Sequence, residues 1–300
     1  MKIVAVVVTY NRFQLLQRVI TCLTGIEEVS QIVIVDNNST DGTAEWLDQQ
    51  DHLIVIHQAN VGGSGGFYTG IKKAYINGAD WIWCMDDDVS PQPNCLHNLL
   101  KEATDPRIGI LCPKRMTDEK TFVNECCKIN ISSLFSSMHQ EKLSENITVP
   151  TTIEGMVFEG PLIKREVVEK IGLPNKDLFI FYDDTDYSYR ATLAGFRVVY
   201  VPSAIMRKEV FFHQHTWAEK LEKKRWKHFY QLRNAAYFNH HYGKNNRVRY
   251  GRALFTLIGY IAGELWYIIK KRKNSWPEIV RLWQAYKDGI NEQLNCDASS

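Results

Sequence analysis

Short β-branched runs alternate along this chain with longer stretches whose apolar residues recur at helical spacing. Residues 2–9 form a nearly unbroken run of Ile, Val and Ala, the pattern of a strand buried on both faces of a parallel sheet. Phe13, Leu15, Leu16, Val19, Ile20 and Leu23 then fall on one helical face. Residues 31–35 predict a second strand ending at Asp36, and the polar run 37–42 supplies turn chemistry before a short helix. Residues 53–57 predict a third strand. Residues 60–66 read as a Gly-rich loop that opens a helix through about Ile76, and residues 81–85 as a fourth strand. Strands alternating with helices at this interval predict βαβ units, hence an α/β fold with a mostly parallel sheet flanked by helices.

Past residue 90 the pattern loosens. A helix is expected over 95–103 and a strand over 108–112, followed by a polar, loop-rich insertion over 114–152 that could serve as an acceptor-side flap. Order resumes at 158–163, a helix follows over 165–171, and another is expected over 187–194, closed by Gly195. Residues 197–201 form a last strand. Three helical stretches then remain: a basic, aromatic one over 217–245, an apolar one over 251–269 and an amphipathic one over 276–294, with a frayed tail from Asn295. The expected division is an α/β domain over 1–216 and a C-terminal helical region over 217–300.

Composition is that of an ordinary globular protein, 45% hydrophobic and 23% charged over 300 residues. A net charge of +2 makes the chain as a whole no polyanion binder. The cations are unevenly spread, however. Lys220, Lys223, Lys224, Arg225, Lys227 and Arg233 lie in the C-terminal third, and Lys270-Lys271-Arg272-Lys273 follows. The seven cysteines show no metal-ligand spacing and are expected to be reduced thiols of a cytoplasmic protein. No signal sequence is recognisable, and the longest apolar stretch, 253–269, is interrupted by Glu264.

Ligands on parallel sheets bind beyond the carboxyl ends of the strands. Thr9-Tyr10-Asn11, Asp36, Asn60-Val61-Gly62-Gly63 and Asp86-Asp87-Asp88 all fall at such ends. Three adjacent carboxylates repel one another unless a cation sits with them, and their hard oxygens suit magnesium or manganese. A second cluster, Asp183-Asp184-Thr185-Asp186, follows an aromatic run, so that desolvation and mutual repulsion would raise a carboxyl pKa toward that of a general base. The alternative for that cluster is helix capping, which Asp186 in particular suits. His213 and His215 share one face if their stretch is extended, and either could complete a metal site. The Gly-rich stretch is not a G-x-G-x-x-G in register, and no P-loop is present.

Taken in order, Thr9-Tyr10-Asn11-Arg12, the run from Val35 to Gly42, Asn60-Val61-Gly62-Gly63, Asp86-Asp87-Asp88 and Tyr182-Asp183-Asp184-Thr185-Asp186 with Arg190 and Gly195 resemble the motif series of family 2 glycosyltransferases. These are inverting enzymes of the Rossmann-like GT-A fold. The stretch from Asn60 to Phe67, with Gly70, and the run from Phe229 to Asn234 look more particularly like bacterial galactofuranosyltransferases and rhamnosyltransferases.

That resemblance implies roles. Thr9, Tyr10, Asn11 and Arg12 would border the nucleotide, Asp36 would meet its base, and Asn60, Gly63 and Ser64 would line the nucleotide-sugar site. Asp86 would lie near the ribose, while Asp87 and Asp88, with His213 or His215, would hold Mn2+ or Mg2+ on the diphosphate. Asp184 would be the general base and Asp183 would hold sugar hydroxyls. The family places its metal-binding His closer to Pro202, and Arg207-Lys208-Glu209 looks inserted here.

The implied reaction moves a sugar from a UDP- or dTDP-sugar donor to a glycan or lipid-linked acceptor in bacterial surface polysaccharide synthesis. Galactofuranose from UDP-galactofuranose is favoured, with dTDP-rhamnose as the alternative. The basic, aromatic C-terminal helices would suit an anionic surface at the inner face of the cell membrane, or packing within a homo-oligomer. Two other classes fit the residues less well. A nucleotidyltransferase would need a Gly-rich basic loop after the first strand, where Thr9-Tyr10-Asn11-Arg12 stands instead. A non-catalytic sugar- or nucleotide-binding module would not need both acidic clusters. Nucleic acid is not an expected partner.

Overall fold

The computed structural model describes residues 1–209, 225–271 and 275–294. Two compact units partition the chain. The first comprises Met1–Ile129, His139–Phe179 and Asp183–Phe211; the second comprises Asn130–Met138, Ile180–Tyr182 and Phe212–Ser300.

The first unit is built on one large mixed sheet. Strands β1 (Ile3–Thr9), β2 (Val29–Asp36), β3 (Ile54–His57) and β4 (Trp81–Asp86) run parallel, in the order β4-β1-β2-β3. Beyond β4 come β11 (Leu162–Lys164), β6 (Ile108–Met116), β12 (Arg197–Lys208) and β10 (Thr151–Ile153). β11 is antiparallel to both its neighbours, whereas β12 is parallel to β6. The short β5 (Val89–Pro91) pairs antiparallel with the end of β12.

β1 shows why the opening run is apolar without alternation. Ile3, Ala5 and Val7 pack into the core on one face of the sheet and Val4, Val6 and Val8 into the core on the other. Each fully buried aliphatic side chain contributes on the order of 2 kcal/mol. Helix α1 (Phe13–Thr24) buries Leu16, Val19, Ile20 and Leu23 in the first of these cores. α3 (Gly62–Ile76) buries Phe67, Ile71 and Ala74 in the second. α2 (Thr43–Leu47), α4 (Cys95–Lys101), α5 (Arg165–Ile171) and α6 (Asp183–Leu193) complete the α-helices of this unit among the described residues.

Three expectations are corrected. The Gly-rich stretch is largely helix, not loop, because α3 begins at Gly62. Its glycines are there for packing: a Cβ on Gly66 would lie 2.4 Å from Val8 Cγ1, and one on Gly70 2.3 Å from Val6 Cγ1. α3 therefore lies flush on β1, as only glycine permits. The helix expected over 187–194 begins earlier, at Asp183, so the whole second acidic cluster occupies its first turn. The last strand runs past Pro202 to Lys208, with an irregularity in register between Val201 and Ile205. The insertion over 114–152 is loop-rich as expected, and carries the small strands β7 (Thr121–Phe122), β8 (Lys128–Ile129) and β9 (His139–Gln140).

The second unit contains helices α7 (Lys227–Tyr242), α8 (Arg252–Lys271) and α9 (Trp276–Ile290). α9 ends before the expected 294, and the expected frayed tail from Asn295 lies outside the described residues. Among the described residues no helix is long and apolar enough to cross a membrane. Arg252 ties the start of α8 to the Asn130 carbonyl (2.7 Å), and Lys244 N–H bonds Ile131, which explains why Asn130–Met138 belongs with the helices.

Candidate active site

Strand register gathers the polar clusters at one sheet edge. Thr9 lies opposite Asp36 across β1 and β2, Val8 opposite Asp86 across β1 and β4, and Asp36 opposite His57 across β2 and β3. The first turn of α3 is fastened beside them. Asn37 Nδ2 donates to the Gly62 carbonyl (3.0 Å) and Ser64 N–H to the Phe179 carbonyl (3.1 Å). Gly62 has φ +75°, and a Cβ there would meet the Phe179 carbonyl oxygen at 2.0 Å.

Within the acidic triplet the structure separates neighbours. Asp87 turns toward β1, where its carboxylate accepts from Thr9 Oγ1 (2.7 Å), Tyr10 N–H (3.4 Å) and Arg12 Nη1 (3.2 Å). Burial pushes its pKa up to about 6, against the pull of Arg12 and Thr9. Arg12 Nη1 also donates to Asp88 Oδ2 (2.9 Å). Among the described residues the carboxylates that converge are Asp86, Asp88 and Glu159, with one oxygen from each within 4.8 Å of the others. The metal set expected from sequence paired Asp87, not Asp86, with Asp88. In the structure the Asp87 carboxylate is bonded to Thr9 and Arg12, and Asp86 joins Asp88. His213 and His215 lie outside the described residues.

Glu159 escaped the sequence reading, although a signal was present: an acid inside the apolar run Phe158–Ile163 needs a partner if it is buried. Backbone bonds Gly160 N–H to Cys84 O (2.8 Å) and Cys84 N–H to Pro161 O (3.0 Å) hold that run against β4 and set Glu159 beside Asp86. Buried Arg115 clamps it, donating Nη1 to Glu159 (2.7 Å) and Nη2 to Glu125 (2.7 Å). Lys208, another residue unassigned from sequence, also donates to Glu159 and lies 3.9 Å from Asp88 Oδ1.

Burial works against the Glu159 carboxylate, but Arg115 and Lys208 outweigh it and hold its pKa below the usual value. Asp86 is raised well above its usual value, by burial first and then by Asp88, Glu159 and Asp87. Asp88 Oδ1 is buried and has no hydrogen-bond partner among the described residues. An all-oxygen donor set with one orphaned carboxylate oxygen fits a hard divalent cation.

Asp36 is almost wholly buried. Its Oδ1 accepts Ser39 N–H (3.0 Å) and its Oδ2 lies 2.9 Å from His57 Nδ1. Asn11, with φ +53°, accepts Thr40 N–H through Oδ1 (2.7 Å), and Asn60 Oδ1 accepts Gly62 N–H (3.0 Å). These side chains shape the loops at the sheet edge. Tyr10 and Gly63 leave room instead: Tyr10 is 47% exposed, and a Cβ on Gly63 would meet nothing within 4 Å.

The second cluster opens α6. Asp183 is buried, with its pKa pushed up to about 6 by that burial. Ser64 Oγ is its buried neighbour, close to the carboxyl but without a well-formed hydrogen bond. Asp184 is more open, and its pKa is raised well above the usual value by burial and then by Asp183. Thr185 N–H (2.6 Å) offsets part of that shift. Asp186 faces elsewhere and bonds Arg190 Nε (2.8 Å), while Arg190 also holds the Ile171 and Leu173 carbonyls (2.7 and 3.0 Å). That pair fastens α6 to the end of α5.

In the second unit, Asn234 Nδ2 donates to the carbonyls of Ile180 (2.8 Å) and Phe181 (2.9 Å), residues just ahead of Asp183 in the chain. Phe179, Phe181 and Tyr182 all have positive φ, near +65°. Strain of this kind costs about 1–3 kcal/mol per residue and persists only where neighbours fix it.

Comparison with known proteins adds the following. The family model described as "Glycosyl transferase family 2" matches residues 4–172. Galactofuranosyltransferase GlfT1 of Mycolicibacterium smegmatis is 26% identical over 198 residues, which take in 64% of this chain and 65% of the relative. The matched stretch thus spans just under two thirds of that relative. The dTDP-rhamnosyl transferase RfbF of Shigella flexneri is 27% identical over 207 residues, 68% of each chain. Among solved structures, GalNAc-T7 with UDP, GalNAc and Mn2+ aligns with a TM-score of 0.58 at 16% identity, covering 83% of this chain and 53% of that one. This likeness shows a GT-A fold.

Proposed function

Because the chain belongs to glycosyl transferase family 2, we propose that it is an inverting, metal-dependent hexosyltransferase acting on a nucleotide-sugar donor. Galactofuranose from UDP-galactofuranose is the favoured sugar, since a galactofuranosyltransferase and a dTDP-rhamnosyl transferase are among its relatives. The acceptor is a hydroxyl of a glycan or lipid-linked oligosaccharide of a bacterial envelope.

The observation that carries this proposal is the trio Asp86, Asp88 and Glu159 at the sheet edge, with its orphaned Asp88 oxygen. These residues would hold Mn2+ or Mg2+, which when bound stabilises the charge of a departing nucleoside diphosphate. The GalNAc-T7 structure, with UDP and Mn2+, is consistent with that role. Thr9, Tyr10 and Arg12 border the nucleotide side of the site, and Asp36, braced by His57, presents the loop that meets the base. Gly63 and Ser64 line the sugar side.

Asp184 takes the proton of the acceptor hydroxyl as that oxygen attacks the anomeric carbon opposite the diphosphate. One displacement inverts the configuration. A base with a raised pKa suits this step, because proton transfer is most effective when the base titrates near working pH. Asp183 holds sugar hydroxyls.

α8 supports a place at a membrane surface. Its one acid, Glu264, is buried and bonded to Arg225 Nε (3.0 Å), while Phe255, Ile258, Leu265, Trp266 and Ile269 are exposed. Arg247 and Arg249 precede this stripe and Lys270-Lys271-Arg272-Lys273 follows it. Cations at both ends favour an anionic lipid surface over a second copy of the same stripe.

The test is a donor screen. UDP-galactofuranose, UDP-galactopyranose, UDP-glucose and dTDP-rhamnose are each incubated with Mn2+ and a lipid-linked glycan fraction, and diphosphate release is measured. Release from UDP-galactofuranose at least tenfold faster than from the others is expected. Release from dTDP-rhamnose alone would replace the sugar, and release from none would overturn the proposal.

A further inference from the structure

Lys208 is the least expected member of the carboxylate cluster. Its place is fixed by backbone: at the end of β12 it pairs antiparallel with Val89, and the next residue, Glu209, donates its N–H to the Asp88 carbonyl (2.9 Å). Its ammonium is thereby held at two of the three converging carboxylates, bonded to Glu159 and 3.9 Å from Asp88 Oδ1, the orphaned oxygen. It is mostly buried, with a side-chain exposure of 19%.

The charge balance matters here. Among the described residues, Asp86, Asp87, Asp88 and Glu159 are faced by three fixed cations, Arg12, Arg115 and Lys208. Arg12 and Arg115 each have a carboxylate outside the converging trio as well, in Asp87 and Glu125. Among the described residues Lys208 has none, and its ion pairs are with Asp88 and Glu159 of the trio. A dication approaching Asp88 and Glu159 meets this ammonium at close range, in surroundings where like-charge repulsion is only weakly screened.

We propose that Lys208 competes with the divalent cation for Asp88 and Glu159, so that the cation is taken up together with a nucleoside diphosphate rather than ahead of it. The diphosphate supplies the negative charge that Lys208 cancels. Both partners then bind tightly only in each other's presence, a coupling that must be reciprocal. Lys208 is in this sense a positioning residue that sets the order of assembly. The inference rests on the cluster being the metal-diphosphate site proposed above.

The experiment measures binding, not turnover. Free Mn2+ is titrated by electron paramagnetic resonance against the wild type, Lys208→Met and Lys208→Arg, each with and without saturating UDP. Lys208→Met leaves Glu159 on Arg115, and Lys208→Gln serves as a second neutral variant should the first fold poorly. Expected is Mn2+ affinity without UDP at least tenfold higher in the neutral variants than in the wild type, with Lys208→Arg near wild type. UDP should raise Mn2+ affinity at least tenfold more in the wild type than in Lys208→Met. Equal Mn2+ affinity of wild type and both neutral variants without UDP would overturn the role of Lys208. If Mn2+ binds no variant even with UDP, and Asp88→Asn changes nothing, the cluster is not the metal site and both proposals fall.

Discussion

His57 Nδ1 lies 2.9 Å from Asp36 Oδ2, at the point where β3 and β2 end side by side. Asp36 is buried, and the bond raises the His57 pKa above its usual value even though burial opposes the charge. A raised pKa on a histidine means that stability from the pair is fully present below the unfolded value, about 6.5, and is lost as pH rises through the folded value. His57→Ala should cost about 1 kcal/mol at pH 6, since the imidazole is partly exposed and its charge partly screened. The deficit should shrink by pH 9. Urea unfolding of both proteins at the two pH values checks this, and a deficit independent of pH would assign His57 a packing role only.

The glycines of α3 make a sharper contrast. Gly66→Ala would press a methyl group into Val8, and overpacking of this kind costs about 1–3 kcal/mol. Gly63→Ala meets no atom within 4 Å and should leave the melting temperature within a degree or two. Its effect should appear instead as weaker binding of the sugar nucleotide relative to UDP. Thermal unfolding together with calorimetry separates the two; equal destabilisation by both substitutions would contradict the packing described for α3.

Asn234 is buried and spends its amide on the Ile180 and Phe181 carbonyls. Without it, two carbonyls in a strained stretch lose their donor just ahead of Asp183 and Asp184. Asn234→Ala should lower kcat at least tenfold while UDP affinity changes less than threefold. A loss of UDP affinity with kcat intact would place the residue in donor binding.

Exposed apolar residues on α8 give the membrane proposal its own test. Co-sedimentation with phosphatidylglycerol vesicles should exceed that with phosphatidylcholine, weaken as salt rises, and drop at least tenfold in Leu265→Glu/Ile269→Glu. Binding indifferent to lipid charge would count against the basic flanks, and absence of binding against the proposal.

Much of the scaffold was legible because β1, β4 and the second half of β2 are buried on both faces and so read as apolar runs closing on polar residues. The edge where Thr9, Asp36 and Asp86 meet follows from parallel register alone. Other features depended on tertiary contact. Gly66 and Gly70 look like loop residues until Val8 and Val6 are seen against them. Asp87 and Asp86 are indistinguishable as neighbours in sequence; only the structure shows that Thr9 and Arg12 bond Asp87 while Asp86 lies with Asp88 and Glu159. Glu159 and Lys208 enter the site from strand pairings far along the chain, which no local pattern encodes. Asn234 stands in a run the sequence already matched to bacterial relatives, but its work on the carbonyls ahead of Asp183 is visible only in three dimensions.

In the proposed mechanism Asp184 removes the acceptor proton at a site where the diphosphate and metal are held by other residues. The direct measurement is UDP release from UDP-galactofuranose with acceptor, by the wild type and Asp184→Asn, alongside calorimetric binding of UDP with Mn2+. Release should be slowed by about 10²–10⁴-fold, with UDP affinity within threefold of the wild type. The wild-type rate should also fall as pH is lowered through the Asp184 pKa, because only the carboxylate accepts a proton. Undiminished transfer by a folded Asp184→Asn protein would contradict it.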